Sequence, residues 1–232
     1  MITIATLETT GWIPAICSMR NPKNSWFKND SVMDVNGHWK MGENDMKLAL
    51  SLAKGGPVHA KYRRMINVYA DITAPLYWWK EFDTYKVGTV ANSCSTMHKI
   101  ADKEFTLEDF SCEHLGYYDP EKDMAMQDGT SFVDEEHMEA WPMDIMTDIV
   151  ACLNHNRENF IETHDKSYWW QLIQLLPSSY NQKRTVMLSY EVLHNIYFSR
   201  KDHKLDEWHH FCDWIETLPY SELITQEETG IR

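Results

Sequence analysis

The sequence has no stretch of about 18 apolar residues, the minimum for a helix that crosses a membrane. No basic segment precedes an apolar run near its start, so we expect no signal peptide. The five cysteines include no C-x-x-C pair, and their odd number argues against a disulfide framework. We therefore expect a soluble cytoplasmic protein with reduced thiols and no membrane partner.

Positive charge is also scarce. There are 22 Lys and Arg residues against 35 Asp and Glu residues, a net charge of −13. Such a field repels the phosphate backbone of DNA and RNA, so we expect no nucleic-acid polymer as partner. A small anionic ligand needs only a few cations in one pocket. The hydrophobic content of 43% is enough for a packed core. The 232 residues fit one large domain or at most two, and we expect a single domain over 1–232.

The N-terminal half carries mixed signals. The alternating residues 1–17 predict a strand that ends at Pro14. Turn signals predict a loop over residues 20–43. Asn44 is the expected cap of a helix that closes at Gly55-Gly56. Residues 61–73 fit a helix or a strand equally well.

The later part of the chain has mostly helical spacing. Pro75 is expected to open a helix, and from residue 147 four segments predict helices, including RTVMLSYEVLHNIYFSRK over 184–201. The acidic stretch 101–146 is interpreted as an insertion or a lid. These patterns predict an α+β fold with a mixed or antiparallel sheet, flanking helices and a helical C-terminal half.

Residues 80–100, KEFDTYKVGTVANSCSTMHKI, are rich in small polar side chains. Hydroxyl groups and backbone N–H groups near a helix start can hold an oxyanion. Lys86 and Lys99 flank the polar residues and would add positive charge. The alternative is a polar loop in which Ser and Thr serve as helix caps.

The segment HNIYFSRKDHK, residues 194–204, combines an amide with a guanidinium. On a helix, Asn195 and Ser199 lie four residues apart, and Arg200 follows. This pair suits the edge of a base and a phosphate, because Arg offers a rigid fork of donors. The alternative is a helix end at which Arg200 and Lys201 complement the helix dipole.

Metal and nucleophile patterns are weak. His203, His209, His210 and Cys212 lack the spacing of a zinc site, so we expect no metal. The acidic run 134–137 fits a solvated face as well as a cation site. No catalytic signature surrounds Cys94 or any serine, so the catalytic residues stay unknown.

Three stretches together resemble the flavin-dependent thymidylate synthase family. They are ITAPLYWWKEFDTYKVGTVANSCSTMHK, QLLPSSYNQKRT and HNIYFSRKDH. The first matches the family at Ala74-Pro75-Leu76 and at Asn92-x-x-Ser95. The family's Arg-His-Arg signature falls on Thr84-Tyr85-Lys86, and a further family Arg falls on Glu191. The likeness runs from about residue 45 to 218 through the order and spacing of these motifs.

The resemblance implies a homotetramer that uses FAD to methylate a pyrimidine deoxynucleotide such as dUMP at C5. Methylene-tetrahydrofolate would supply the carbon and NADPH the hydride; methyl and hydroxymethyl transfer both stay open. It implies these cofactor contacts: His59, Tyr85, Lys86 and Asn195. It implies these nucleotide contacts: Asn92, Ser93, Ser95, His98, Lys99 and Arg200. It also predicts that the Ser95 loop and the Arg200 helix converge on one anion-receiving cavity. The alternatives are a nucleotide-binding protein of the same fold that has lost catalysis, and a purely structural oligomer.

Overall fold

The structure is a computed structural model and describes residues 2–116 and 141–229. Within these ranges the strands are β1 (Thr3–Thr10), β2 (Val32–Met33), β3 (Trp39–Lys40), β4 (Asn67–Pro75), β5 (Thr89–Ser93) and β6 (Asn181–Ser189). The α-helices are α1 (Trp12–Ser18), α2 (Glu43–Lys54), α3 (Leu76–Phe82), α4 (Thr96–Lys99), α5 (Pro142–Thr163), α6 (Lys166–Leu175), α7 (Tyr190–Arg200), α8 (Asp206–Glu216) and α9 (Glu222–Thr225). None of these helices is long and apolar enough to span a bilayer.

The chain folds into two compact units. Among the described residues, unit 1 holds Ala74–Tyr77, 94–116 and 141–182, and unit 2 holds Ile2–Thr73, Trp78–Ser93 and 183–229. The prediction of one domain over 1–232 stays a prediction. The centre of the acidic stretch 101–146, including the 134–137 run, lies outside the described residues.

Unit 2 contains a four-stranded sheet in the order β1-β4-β6-β5. β1 is antiparallel to β4, and β5 is antiparallel to β6. Helices α7 and α8 follow the last strand. This confirms the predicted α+β class with an antiparallel sheet, flanking helices and a helical C-terminal half.

Two predicted elements were wrong. The strand over residues 1–17 ends at Thr10, because Gly11 turns the chain with a φ of 87° and α1 follows. A Cβ at Gly11 would lie 1.9 Å from the carbonyl oxygen of Met65, so only glycine fits this turn. The helix predicted to begin at residue 184 is strand β6 up to Ser189, where Val186 and Leu188 are buried two residues apart.

Other predictions hold with adjustments. Residues 61–73 form a 3-10 turn over Lys61–Met65 and then β4, which resolves the helix-or-strand alternative. Helix α2 begins at Glu43, so Asn44 lies inside it, and the prediction that Asn44 caps the helix was wrong. The carboxylate of Asp30 caps it instead, accepting from the backbone N–H groups of Asn44 and Asp45 at 2.8 and 3.0 Å.

The core of unit 2 is strongly aromatic. Trp78, Trp79 and Phe82 on α3 are buried together, and Trp78 packs against Trp208 and Phe211 of α8. The centroids of Trp78 and Trp208 are 4.8 Å apart. These rings fix α3 against α8, and α3 thereby presents Glu81 to the residues that follow α7.

Unit 1 has a separate core between α5 and α6. Its buried members are Ile100, Phe105, Phe110, Met146, Leu153 and Leu172. Ile100 follows α4 directly, so burial of this side chain fixes the short helix that carries the predicted anion contacts.

Candidate functional site

Arg200 lies at the C-terminal end of α7. The helix begins at Ser189, whose hydroxyl accepts from the backbone N–H of Val192 at 3.3 Å. Leu193 and Ile196 are fully buried, whereas Asn195 is exposed. The predicted helix is confirmed here, and it presents the amide of Asn195 to solvent.

The guanidinium of Arg200 has fixed partners within unit 2. Its Nε donates to the hydroxyl of Tyr85 at 2.9 Å, and its Nη1 donates to Oε2 of Glu81 at 2.8 Å. Its Cζ lies 4.7 Å from the ring centroid of Trp208, a cation–π distance. Two residues predicted from separate motifs, Tyr85 and Arg200, are therefore in direct contact.

Glu81 is the residue of this cluster that sequence reasoning missed. Its Oε2 accepts from Nε1 of Trp208 at 3.0 Å as well as from Arg200, and it lies 3.4 Å from Nε2 of His203. The local signal was its position four residues before Tyr85 in the sequence. That spacing could not reveal a partner more than one hundred residues away in the chain.

Two further residues named from the sequence are Glu191, which lies on α7, and His59, which lies a few residues after α2. Glu191 lies one turn before Asn195, so the two share a helix face. Its Oε1 is 3.7 Å from Nη2 of Arg64, and its buried Oε2 has no hydrogen-bond partner among the described residues. His59 is exposed and packs against Gly55, where an added Cβ would lie 3.0 Å from the imidazole.

The other predicted contacts in unit 2 are exposed. Lys86 follows α3, and Asn92 and Ser93 end the edge strand β5, where they pair with Thr185 and Arg184 of β6. No hydrogen bond joins Lys86, Asn92 or Ser93 to Arg200 within the part of the chain that the structure describes.

In unit 1, Ser95 caps the four-residue helix α4. Its hydroxyl accepts from the backbone N–H of His98 at 3.2 Å, which is the capping role weighed as the alternative from the sequence. Lys99 donates to Oδ2 of Asp102 at 2.7 Å, and this contact raises the pKa of the Lys99 amine. The role of Ser95, His98 and Lys99 in binding an anion stays a prediction.

A pocket of about 530 Å³ borders α4. Its lining residues are Met97, His98, Ile100, Ala101, Asp102, Phe160, Lys166 and Trp169. Trp169 is held in place by donating from Nε1 to the carbonyl oxygen of Met97 at 3.2 Å. Nζ of Lys166 lies over the rings of Trp169 and Trp170 at 5.8 and 5.6 Å. An aromatic wall beside a cation suits a planar anionic ligand.

Lys166 and Trp169 were not identified from the sequence as site residues. The signal available was a lysine three residues before a Trp-Trp pair in KSYWW. In the structure 46% of Trp170 is exposed.

Two of the remaining candidates from the sequence, His209 and Cys212, border the same pocket of about 330 Å³. Cys212 is buried, which raises the pKa of its thiol to about 11, and His209 lies 3.9 Å from Asp206. Cys94 is exposed, and its carbonyl oxygen accepts from Gln182 at 3.0 Å. Across residues 2–116 and 141–229, no three metal-ligating side chains lie close enough together to hold an ion.

The fold is that of the flavin-dependent thymidylate synthases. Thymidylate synthase X from Helicobacter pylori, crystallised with FAD and dUMP, aligns at a TM-score of 0.64 and 15% identity over 98% of both chains. A second structure of the H. pylori enzyme with FAD and dUMP gives 0.63 and 16%, over 98% of this chain and 99% of that one. The UMP/dUMP methylase PolB from Streptomyces cacaoi, bound to 5-Br UMP, gives 0.61 and 12% over 99% and 96%.

These likenesses confirm the predicted resemblance at the level of the fold. By sequence, no protein-family profile matches the chain, and no curated protein matches it. The relationship is therefore carried by the backbone, which agrees with a strongly divergent sequence.

Proposed function

We propose that this protein is a flavin-using enzyme that transfers a one-carbon group to C5 of a pyrimidine deoxynucleotide such as dUMP. One observation carries the proposal: 98% of the chain aligns with 98% of an enzyme crystallised with FAD and dUMP. The methylase from S. cacaoi aligns over a similar share and carries a uridine nucleotide. A fold alone does not define a function, so the proposal also depends on the site residues.

The contact between Tyr85 and Arg200 supports it. The guanidinium is held by Tyr85 and Glu81 and stacked on Trp208, so its direction is set before any ligand arrives. A held donor loses less conformational freedom on binding than a mobile one. Arg200 is therefore suited to orient a planar ligand.

In this proposal Asn195 on α7 contacts the flavin ring. It is exposed and offers both a donor and an acceptor. The exposed His59 can supply a further contact. The FAD diphosphate would have fewer cationic partners, because positions 84–86 contain one cation, Lys86, where the family has two arginines. FAD, when bound, would supply the reducing equivalents for forming the new methyl group.

We further propose methylene-tetrahydrofolate as carbon donor, NADPH as reductant, and a homotetramer in the cytoplasm. The predicted nucleotide contacts Asn92, Ser93, Ser95, His98 and Lys99 belong to this proposal.

The test is spectroscopic and isotopic. The purified protein should develop bound-flavin absorbance when FAD is added, and it should release tritium from [5-³H]dUMP when supplied with methylene-tetrahydrofolate and NADPH. Tritium release reports directly on replacement of the C5 hydrogen. A protein that binds no flavin and releases no tritium would refute the proposal.

A second candidate is a nucleotide-binding protein of this fold without catalysis. The observation in its favour is that Arg200 and Tyr85 are engaged with each other and with Glu81, while Thr84-Tyr85-Lys86 replace an Arg-His-Arg signature. Calorimetry with dUMP and deoxycytidine monophosphate separates the two candidates. Binding without tritium release supports the second candidate, and turnover excludes it.

A further inference from the structure

The charge of Arg200 is already balanced inside unit 2. A guanidinium kept for a phosphate normally has its fork of donors open, because a phosphate takes two parallel hydrogen bonds. Here Nη1 lies 2.8 Å from a carboxylate oxygen of Glu81, and Nε is used by Tyr85. The side chains of Arg200 and Glu81 are only 19% and 33% exposed, so water screens their attraction only in part.

Glu81 is held in this position by several donors. Nε1 of Trp208 donates to the same oxygen at 3.0 Å, and Nε2 of His203 lies 3.4 Å from it. Trp208 is fully buried, so its indole cannot follow a moving carboxylate. Displacing Glu81 would leave the indole N–H buried without an acceptor, which is unfavourable.

An anion that approached Arg200 would therefore meet Glu81 as well. Its attraction to the guanidinium would be offset by repulsion from a carboxylate at nearly the same distance. An uncharged acceptor is affected differently, because a carbonyl oxygen needs only a donor. Nη2 of Arg200 can be that donor, since no described residue accepts a hydrogen bond from it.

We propose that Glu81 makes the Arg200 site selective for an uncharged acceptor, such as a carbonyl oxygen of a nucleobase, and against a phosphate. The nucleobase part of this inference rests on the proposed function, whereas the exclusion of phosphate rests on the ion pair alone. Glu81 acts here through Arg200 and is a specificity-determining residue, not a catalytic one.

The experiment compares Glu81→Gln with Asp202→Asn. Both changes remove one negative charge and keep the size of the side chain, and Asp202 lies two positions after Arg200 in the sequence. Asp202 is exposed, and no described residue forms an ion pair with it, so its removal frees no guanidinium. Calorimetry measures binding of inorganic pyrophosphate to the full-length wild-type protein and to each variant.

We expect Glu81→Gln to bind pyrophosphate at least about tenfold more tightly than wild type, and Asp202→Asn to bind it as wild type does. Adding Arg200→Gln to Glu81→Gln should abolish the gain. Equal gains in both single variants, no gain in Glu81→Gln, or wild-type pyrophosphate binding that Arg200→Gln removes would each overturn the proposal. Thermal unfolding of every variant verifies that it is folded under the assay conditions.

Deoxyuridine, which has the base and no phosphate, tests whether the Arg200 site binds a nucleobase. We expect Arg200→Gln to weaken deoxyuridine binding, with Glu81→Gln changing it less than about threefold. Unchanged deoxyuridine binding in Arg200→Gln would overturn the nucleobase assignment. If neither the wild-type protein nor any variant binds deoxyuridine or FAD, the proposed function fails. The pyrophosphate comparison still decides the role of Glu81 in that case.

Discussion

The hydroxyl of Tyr85 accepts a hydrogen bond from Nε of Arg200 at 2.9 Å, across 115 residues of sequence. Tyr85 lies just beyond α3, and Arg200 ends α7. The ring of Tyr85 also lies 5.7 Å from Cζ of Arg200. A phenol can therefore hold the guanidinium in two ways, by its oxygen and by its ring.

Removing the Tyr85 hydroxyl should loosen Arg200. We expect Tyr85→Phe to lower the free energy of unfolding by about 0.5–1.5 kcal/mol, since water can replace part of the lost hydrogen bond. Urea unfolding followed by tryptophan fluorescence measures the change. Tyr69→Phe is the control, because the Tyr69 hydroxyl has no partner among the described residues. Equal losses in both variants would contradict the assigned contact.

A second prediction concerns Asp45, which is fully buried in α2. Its Oδ1 accepts from Nε and Nη2 of Arg20 at 3.0 and 2.6 Å, and its Oδ2 accepts from the hydroxyl of Ser31 at 2.7 Å. We expect Asp45→Ala to cost about 3–5 kcal/mol, because it leaves a buried guanidinium without its counter-ion. Chemical denaturation measures this loss.

The same helix offers a control for Asp45. Glu43 pairs with Lys47 at 3.8 Å in an exposed position, so Glu43→Ala should leave the unfolding midpoint almost unchanged. If Asp45→Ala were equally mild, Asp45 would not be the residue that joins the segment after α1 to α2.

Local signals in the sequence predicted much of the fold. Gly55-Gly56 closes α2 and Pro75 precedes α3, because the backbone limits of glycine and proline act within one or two residues. The segment ending in Arg200 has enough helical spacing to be identified without its neighbours. Such features depend on the chain nearby and can be interpreted from one sequence.

The misses have a nonlocal cause. Residues 184–189 were interpreted as helix because their apolar residues fit more than one period over so short a run. Pairing with β5 makes them a strand, and pairing is decided by residues about a hundred positions away. Gly11 is similar, since its turn is required by the carbonyl group of Met65.

The residues of the candidate site also differ in whether a local signal in the sequence could identify them. Tyr85, Asn195 and Arg200 could be proposed from motif order. The pairing of Glu81 with Arg200 depends on the buried Trp78–Trp208 contact that brings α3 to α8, and no motif records it. The position of Lys166 over two tryptophan rings likewise depends on how α6 begins after α5.

A third prediction concerns pH. His194 is buried on α7, with Nδ1 2.6 Å from the carbonyl oxygen of Ile224 and Nε2 3.1 Å from Oε1 of Glu228. Burial, and secondly the charge of Arg63, lower the pKa of His194 below its ordinary value of 6.5, while Glu228 and Glu191 oppose the shift. The unfolded chain then binds a proton more readily than the folded one.

Stability should therefore be full above pH 6.5 and fall as the pH drops below it toward the folded pKa. A single group changes the free energy of unfolding by at most about 1.4 kcal/mol per pH unit. We expect His194→Gln to flatten this slope in urea unfolding between about pH 7 and pH 5. His38→Gln, at an exposed histidine, should keep the wild-type slope. A wild-type slope in His194→Gln would show that other groups cause the acid sensitivity.

The last prediction separates two roles of Ser95. Its hydroxyl caps α4, and the family resemblance also predicts that it contacts a nucleotide phosphate. Aspartate caps a helix as well as serine does, but it carries a negative charge.

If Ser95 contacts the phosphate, Ser95→Asp should weaken dUMP binding more than tenfold while keeping the protein folded, because the negative charges of Asp and phosphate would repel each other. If Ser95 only caps, Ser95→Asp should bind dUMP as wild type does, and Ser95→Ala alone should lower stability, by about 0.5–2 kcal/mol. Calorimetry with dUMP and with deoxyuridine distinguishes these results, since only the nucleotide carries the phosphate that the added charge would repel.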